Sequence, residues 1–337
     1  MNAAVGLCRG AGALMQNRKK ENRAIKYCFG VDIGGTTVKM GLFDEEGTIL
    51  DKWEIVTDTS EEGKAILPNT AASIEKKIEE HGLDRADIAG IGVGVPAPVT
   101  ADGVVKGTAN LGWGYKEVKR ELEELTGLNA CIGNDANVAA LGEMWKGGGA
   151  GEKNMIMVTL GTGVGGGVII DGKMLVGAHG AGGEIGHLCV NYEETDRCGC
   201  GNRGCLEQYA SATGIVRLAK QKLGQEMRPT ILNKEDVTAK DVFDAVKAGD
   251  EVAKEIAVVF GRYLGYGLAN LAAVADPAVF VIGGGVSKAG EVLIPYIREP
   301  YMERAFFADK DVKFVLAELG NDAGICGAAK LMLDAQD

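Results

Sequence analysis

The sequence has no run approaching the roughly 20 consecutive apolar residues of a membrane-spanning helix, so no membrane partner is expected. It has no secretory signal pattern. A signal peptide needs charge first and an unbroken apolar core after it, whereas here Arg9 interrupts the apolar part and most of the charge follows. It has no excess of basic residues. Net charge is −11 and the pI about 5.0, which argues against non-specific nucleic-acid binding, since that rests on neutralising phosphates. Glycine is abundant, 51 residues, but shows no collagen-like period. The phosphate-binding sequence G-x-x-x-x-G-K-[ST] does not occur. A soluble cytoplasmic enzyme fits these exclusions.

What is there suffices for a sizeable core. Apolar residues make up 46% of 337, enough for two domains of ordinary size or one large one. The first 26 residues differ from the rest. They carry Arg9, Arg18, Lys19, Lys20, Arg23 and Lys26 against Glu21 alone, a balance of +5 that leaves −16 on the remainder. They read as a loose tail, or as an upstream extension with Met15 as the natural start, and as too short for a DNA-binding helix-turn-helix domain.

Hydrophobic patterning predicts three strands over 27–32, 37–43 and 49–56, with turns at Gly34-Gly35 and at Asp44–Gly47. A helix over 61–80, a buried strand over 88–95 and a helix over 116–126 follow. A short strand, 131–134, runs into a helix over 135–146, and Gly147–Gly151 reads as a flexible break. The pattern then repeats: strands over 154–160, 164–170 and 173–176, helices that include a long one over 251–274, strands over 278–282 and 312–317, and a closing helix over 322–334. Two halves that each open with a β-β-β meander and continue as α/β units imply a duplicated domain with a ligand site between the halves.

The densest chemistry lies between Glu184 and Glu207. His187, Cys198, Cys200 and Cys205, spaced His-x10-Cys-x-Cys-x4-Cys, form a four-ligand set for tetrahedral zinc. A disulfide framework is disfavoured in a long chain without a secretory signal. Cys8, Cys28, Cys131, Cys189 and Cys326 are isolated and read as small buried hydrophobes.

Three glycine-rich turns are candidates for holding phosphates. In Asp32-Ile-Gly34-Gly35-Thr36-Thr37-Val-Lys39 the paired glycines admit close backbone approach, the threonines add hydroxyl donors, and Asp32 suits magnesium through water. A plain two-residue hairpin is the simpler reading. Gly161-Thr162-Gly163-Val-Gly165-Gly166 spells G-x-G-x-x-G, but a strand follows where a dinucleotide fold needs a helix, so a second phosphate-gripping hairpin is the better reading. Gly283-Gly284-Gly285 follows a strand and precedes a helix, which suits a nucleotide but also an ordinary β-to-α turn. Asp135 stands where a strand meets a helix. It is either an N-cap or a carboxylate kept ionised by the positive helix end, able to orient a hydroxyl nucleophile and take its proton.

From Tyr27 to the C-terminus these motifs together resemble the ROK family of the actin-like, hexokinase-type ATPase superfamily. Asp32-Ile-Gly-Gly-Thr36 is similar to its first phosphate motif, Leu160–Gly167 through Gly183-Glu-Ile-Gly-His187 to its signature, and Cys198–Glu207 to its zinc loop. The resemblance implies an α/β fold of two duplicated ribonuclease H-like domains, 27–138 and 139–321, with the 322–334 helix packing back on the first. It implies phosphorylation of a sugar, glucose foremost, at its 6-hydroxyl by ATP and Mg2+. Asp135 would be the base. Asn110, Asn134, Glu184, His187 and Glu207 would hold the other hydroxyls, and His187 would also ligate a structural Zn2+. A homodimer is expected. Kinases for N-acetylglucosamine, N-acetylmannosamine or fructose, and sugar-sensing regulators, are the alternatives. Pro96-Ala97-Pro98 replaces the Pro-Gly-Pro of many relatives, which bears on which sugar fits.

Overall fold

The structure is a computed structural model describing residues 26–108 and 110–336. Segment 1–25, which holds most of the basic tail and Cys8, lies outside the described residues. The first half runs β1 (Tyr27–Ile33), β2 (Thr37–Asp44), β3 (Ile49–Val56), a one-turn α1 (Ser60–Gly63), α2 (Ile66–His81), β4 (Ile88–Val95), α3 (Val118–Thr126), β5 (Ala130–Asn134) and α4 (Asp135–Lys146). The second runs β6 (Met155–Leu160), β7 (Val164–Ile170), β8 (Lys173–Met174), α5 (Glu207–Ala210), α6 (Ala212–Gln225), α7 (Ala239–Lys247), α8 (Glu251–Ala275), β9 (Val279–Gly283), α9 (Leu293–Arg304) and β10 (Lys313–Leu316). The last element is α10 (Ala323–Asp334).

The two sheets have one topology. Their orders are β3-β2-β1-β4-β5 and β8-β7-β6-β9-β10. In each, the first three strands are antiparallel and the fourth and fifth are parallel to the first. This is the duplicated α/β architecture that the patterning predicts. β4 is buried at every position because layers cover both its faces, so it shows no alternation. β3, at the sheet edge, alternates between exposed and half-buried residues over its last six positions.

Helix α4 is the hub of the molecule. Gly167 on β7 would carry a Cβ 2.4 Å from that of Ala140, so α4 lies almost on the second sheet. On its other side α4 crosses α10, where a Cβ on Gly327 would lie 1.7 Å from the Val138 carbonyl oxygen. α10 in turn lies flat on β1 and β4, because Gly30 and Gly92 leave room for the carbonyls of Ile325 and Ala328. The closing helix therefore packs on the first sheet although the chain reaches it from the second.

Several boundaries differ from the sequence reading. The helix expected over 61–80 is broken: Glu61, Glu62 and Gly63 have positive φ, and the continuous helix starts at Ile66. Gly63 is forced by packing, since a Cβ there would meet the Leu111 carbonyl oxygen at 2.3 Å. The strand expected over 173–176 ends at Met174. Gly147–Gly151 is not a flexible break. It is a hydrogen-bonded turn wrapped around Glu143, with Gly148 N–H donating to Glu143 Oε2 at 2.9 Å and Ala150 N–H to the Gly147 carbonyl at 2.9 Å. The 25-residue α8 is long and apolar enough to cross a bilayer by length and composition, although charged residues interrupt its apolar run. In the fold it is a core helix, with Phe260, Leu264 and Leu268 fully buried.

Candidate active site

The glycine pair Gly34-Gly35 makes the tight turn between β1 and β2, closed by the Gly34 N–H on the Thr37 carbonyl at 3.0 Å. Antiparallel register then sets Lys39 directly opposite Asp32. Burial raises the Asp32 pKa above the ordinary carboxylate value, and the Lys39 charge opposes that rise. A Cβ on Gly324, in the first turn of α10, would lie 2.7 Å from an Asp32 carboxylate oxygen, so the acid is tucked against that helix end. Asn110 sits on a loop pinned by Thr108 Oγ1 accepting from Trp113 N–H at 3.1 Å. Its Cβ comes to 3.3 Å from where a Gly35 Cβ would be.

At the start of α4, Asn134 is the N-cap. Its Oδ1 accepts from Asn137 N–H at 3.1 Å, while its Nδ2 donates to the Ala97 carbonyl at 3.3 Å. Asp135 is thereby released from capping; its Oδ1 accepts from Ala136 N–H at 2.8 Å. Its pKa is pushed up to about 6, first by burial and then by the Asp32 and Glu184 charges, with the N–H bond working the other way. The helix end therefore does not dominate, contrary to the sequence expectation; desolvation of a carboxylate between two acidic neighbours outweighs it. Ala97, the position that departs from Pro-Gly-Pro, packs in the N-terminal core.

The glycines of β7 are packing devices. A Cβ on Gly165 would lie 3.2 Å from Ala136 Cβ, and one on Gly166 would strike Ile185 at 2.4 Å. The turn before them, Gly161-Thr162-Gly163, is latched by Ala212 N–H on the Gly161 carbonyl at 2.8 Å and by Thr213 Oγ1 on the Thr162 carbonyl at 2.9 Å. Gly284, at φ +85, rides on Leu160; a Cβ there would lie 2.6 Å from the Leu160 nitrogen and oxygen. A short 3-10 turn over 286–289, not an α-helix, follows Gly283-Gly284-Gly285.

In Gly183-Glu-Ile-Gly-His187 the glycines and Ile185 press onto β7, where a Gly186 Cβ would lie 2.1 Å from the Val164 carbonyl oxygen. Glu184 and His187 are left exposed. The buried Asn137 amide donates to the Gly182 carbonyl at 2.9 Å and ties this turn to α4. His187, Cys198, Cys200 and Cys205 converge, with all ligand atoms within 4.8 Å of one another. His187 Nδ1 is 3.9 Å from Cys198 Sγ, and the Cys200 and Cys205 sulfurs are 3.7 Å apart. Thiolates bonded to zinc at about 2.3 Å in a tetrahedron sit about 3.8 Å apart, so the donor set fits that ion. Glu207 bridges this loop to the second glycine turn: its Oε2 accepts from Val164 N–H at 3.0 Å and its Oε1 lies 3.6 Å from Cys198 Sγ. Of the other cysteines, Cys28 and Cys326 are buried and Cys131 and Cys189 half-buried; all are free thiols.

A cavity of about 670 Å³ brings Asp32, Lys39, Asp135, Gly284 and Gly285 together. Gly34, Gly35, Thr36, Thr37, Gly161, Thr162, Gly163, Gly165, Gly283, Asn110, Glu184, His187 and Glu207 are not part of its lining. Thr159, Glu143, Lys288 and most of the segment from Leu316 to Gly324 also line it, and the sequence reading missed them. Lys288 follows Gly283-Gly284-Gly285 by three residues, so a cation so close to a glycine turn was a usable signal. The 316–324 segment offered none, since it joins the cavity only through tertiary folding.

The family model described as ROK family matches residues 28–335. The chain is 44% identical over 313 residues to a glucokinase of Halalkalibacterium halodurans, covering 91% of this chain and 95% of that protein. It is similar to the crystal structure of a ROK family glucokinase from Streptomyces griseus in complex with glucose and AMPPNP, at 35% identity and a TM-score of 0.70, covering 90% of this chain and 98% of that one. It is also similar to a ROK hexokinase from Thermus thermophilus, at 34% identity and a TM-score of 0.78, covering 92% of this chain and 100% of that one. With the duplicated sheets, the Cys/His cluster and these matches along almost its whole length, the chain belongs to the ROK family.

Proposed function

We propose that this protein transfers the γ-phosphoryl group of ATP to the 6-hydroxyl of glucose. The observation that carries the reading is Asp135: a half-buried carboxylate at the start of α4, freed from capping by Asn134, on the wall of a cavity shared with Asp32, Lys39 and the 284–285 turn. Asp135 accepts a hydrogen bond from the 6-hydroxyl, aims its oxygen at the γ-phosphorus, and takes its proton as the bond to phosphorus forms. A pKa of about 6 leaves it mostly ionised at neutral pH yet basic enough for that step. Lys39 and the N–H groups of the glycine turns meet phosphate oxygens. Asn110, Asn134, Glu184, His187 and Glu207 hold the remaining hydroxyls.

Asp32 would hold Mg2+ through water, and when bound that ion neutralises charge on the phosphates. His187, Cys198, Cys200 and Cys205 would hold Zn2+ as a structural ion with no open position. With Nδ1 turned to the cysteines, His187 leaves Nε2 free to donate to a sugar hydroxyl, and a fixed tautomer gives that donor a fixed direction. We assign residues 27–138 with the closing helix to one domain and 139–321 to the other. Closure between them excludes water, which would otherwise compete for the phosphoryl group. A homodimer is expected.

An ADP-release assay over glucose, mannose, fructose, N-acetylglucosamine and N-acetylmannosamine tests this. Glucose is expected to give the highest kcat/KM. Turnover of an N-acetyl sugar in preference to glucose would reassign the substrate, and no sugar-dependent ADP release with any of them would overturn the reading.

A further inference from the structure

The chain passes between the two sheets at two places: from α4 into β6 through residues 147–154, and from β10 back to α10 through residues 317–322. One side chain holds both. Glu143, in the last turn of α4, is 0% exposed. Its Oε2 accepts from Gly148 N–H at 2.9 Å on the first crossing and from Glu318 N–H at 3.0 Å on the second. Its Oε1 accepts from Leu319 N–H at 2.9 Å. The main chain joins in, with the Glu143 carbonyl accepting from Gly147 and Gly149 at 3.1 and 3.0 Å. The glycines exist for this wrap. A Cβ on Gly147 would sit 2.0 Å from Glu143 Oε2, and one on Gly148 would sit 2.5 Å from the Leu316 carbonyl oxygen. Among the described residues no lysine, arginine or histidine forms an ion pair with this carboxylate, so its burial is compensated by N–H donors, which an amide could match only in part.

We propose that Glu143 is a positioning residue for phosphoryl transfer, a clasp that fixes both crossings between the sheets to the helix carrying the base. Asp135 and Glu143 are eight residues apart, about 12 Å along α4 at 1.5 Å per residue. At one end the helix presents the carboxylate for the sugar hydroxyl. At the other it grips the segment whose Leu316, Glu318 and Asn321 line the same cavity. The clasp therefore sets the distance between the base and the wall against which the nucleotide is held. Misplacement of about 1 Å costs on the order of 100-fold in such reactions. This rests on the kinase reading above.

The test is Glu143→Gln, with Glu143→Asp as a second variant. Each is assayed for kcat, for KM of ATP and of glucose separately, and for glucose-6-phosphate formed per ADP released. For Glu143→Gln, kcat/KM for ATP is expected to fall about 100-fold, with glucose binding in the absence of nucleotide unchanged and the product ratio below one. For Glu143→Asp a smaller loss of the same pattern is expected. A folded Gln variant with wild-type kcat and KM values, merely melting earlier, would overturn the clasp. If neither variant folds, amide exchange on the wild type decides. Gly148, Glu318 and Leu319 should be protected equally with and without glucose and an ATP analogue, and free exchange at these amides rejects the idea. A wild type with no sugar-dependent ADP release would instead overturn the kinase reading on which this depends.

Discussion

Glu207 Oε2 accepts a hydrogen bond from Val164 N–H at 3.0 Å, and through this contact the cysteine loop grips the second glycine hairpin. Gly163 must be glycine for it, because a Cβ there would lie 2.2 Å from the same oxygen. The other Glu207 oxygen is 3.6 Å from Cys198 Sγ. A change at the cysteine cluster is thus passed in two steps to the Gly161–Gly163 turn, and under the proposed assignment through His187 to the sugar.

Cys200→Ser tests that coupling. Elemental analysis of the wild type is expected to find about one zinc per chain, with none in the variant. Glucose KM should rise about tenfold or more, since partners that orient a metal-held imidazole are worth that much. A zinc-free variant with unchanged glucose KM would show that the loop acts independently of the sugar.

Asp135→Asn keeps a side chain of the same shape but removes the proton acceptor. The variant is expected to fold and to bind glucose in calorimetry, while turning over at least about 100-fold more slowly. Near-normal turnover would take the base assignment away from Asp135.

The raised pKa gives a pH signature with a fixed sign. With Asp135 as the proposed base, kcat should climb as pH rises through about 6 and then level off. Stability runs the other way. Between the ordinary value of 3.8 and the folded value of about 6 the native state binds more protons than the unfolded state, so this group's contribution to stability is lost as pH rises through that window. Removing the charge should therefore stabilise the fold at pH 8, by up to about 3 kcal/mol for a shift of roughly two units. Urea unfolding of wild type and Asp135→Asn at pH 4 and pH 8 checks it. A difference that grows toward acid would contradict the burial argument.

The repeated meander and the cysteine cluster were legible in the sequence because each is written in local spacing. β3, β4, β7 and α4 follow the predicted bounds, set by apolar runs and glycine turns close by. What was not legible came from distant partners. Gly147–Gly149 looked like slack because the carboxylate it wraps also takes donors from 318 and 319, some 175 positions further on. The Asp135 shift was misjudged for the same reason. The helix start is visible in sequence, but burial and the nearness of Asp32 and Glu184 are not. Glu61 and Glu62 fit a helical pattern and lost to the packing of Gly63 on Leu111.

Gly327 is a position where the fold has little room to yield. An Ala there would place its methyl carbon 1.7 Å from the Val138 carbonyl oxygen and press toward the Gly142 nitrogen, both of them backbone atoms of α4. Neither can rotate away, so α10 must lift from α4, opening the layer that buries Ile325, Cys326 and Ala329. Overpacking of this kind costs about 1–3 kcal/mol. Gly327→Ala should therefore unfold at lower urea, with the slope of the transition unchanged. Gly82→Ala is the control: its added Cβ meets nothing within 4 Å, so only the positive φ of +60 is penalised. A Gly327 variant as stable as wild type would mean that the two helices do not pack as closely as their glycines indicate.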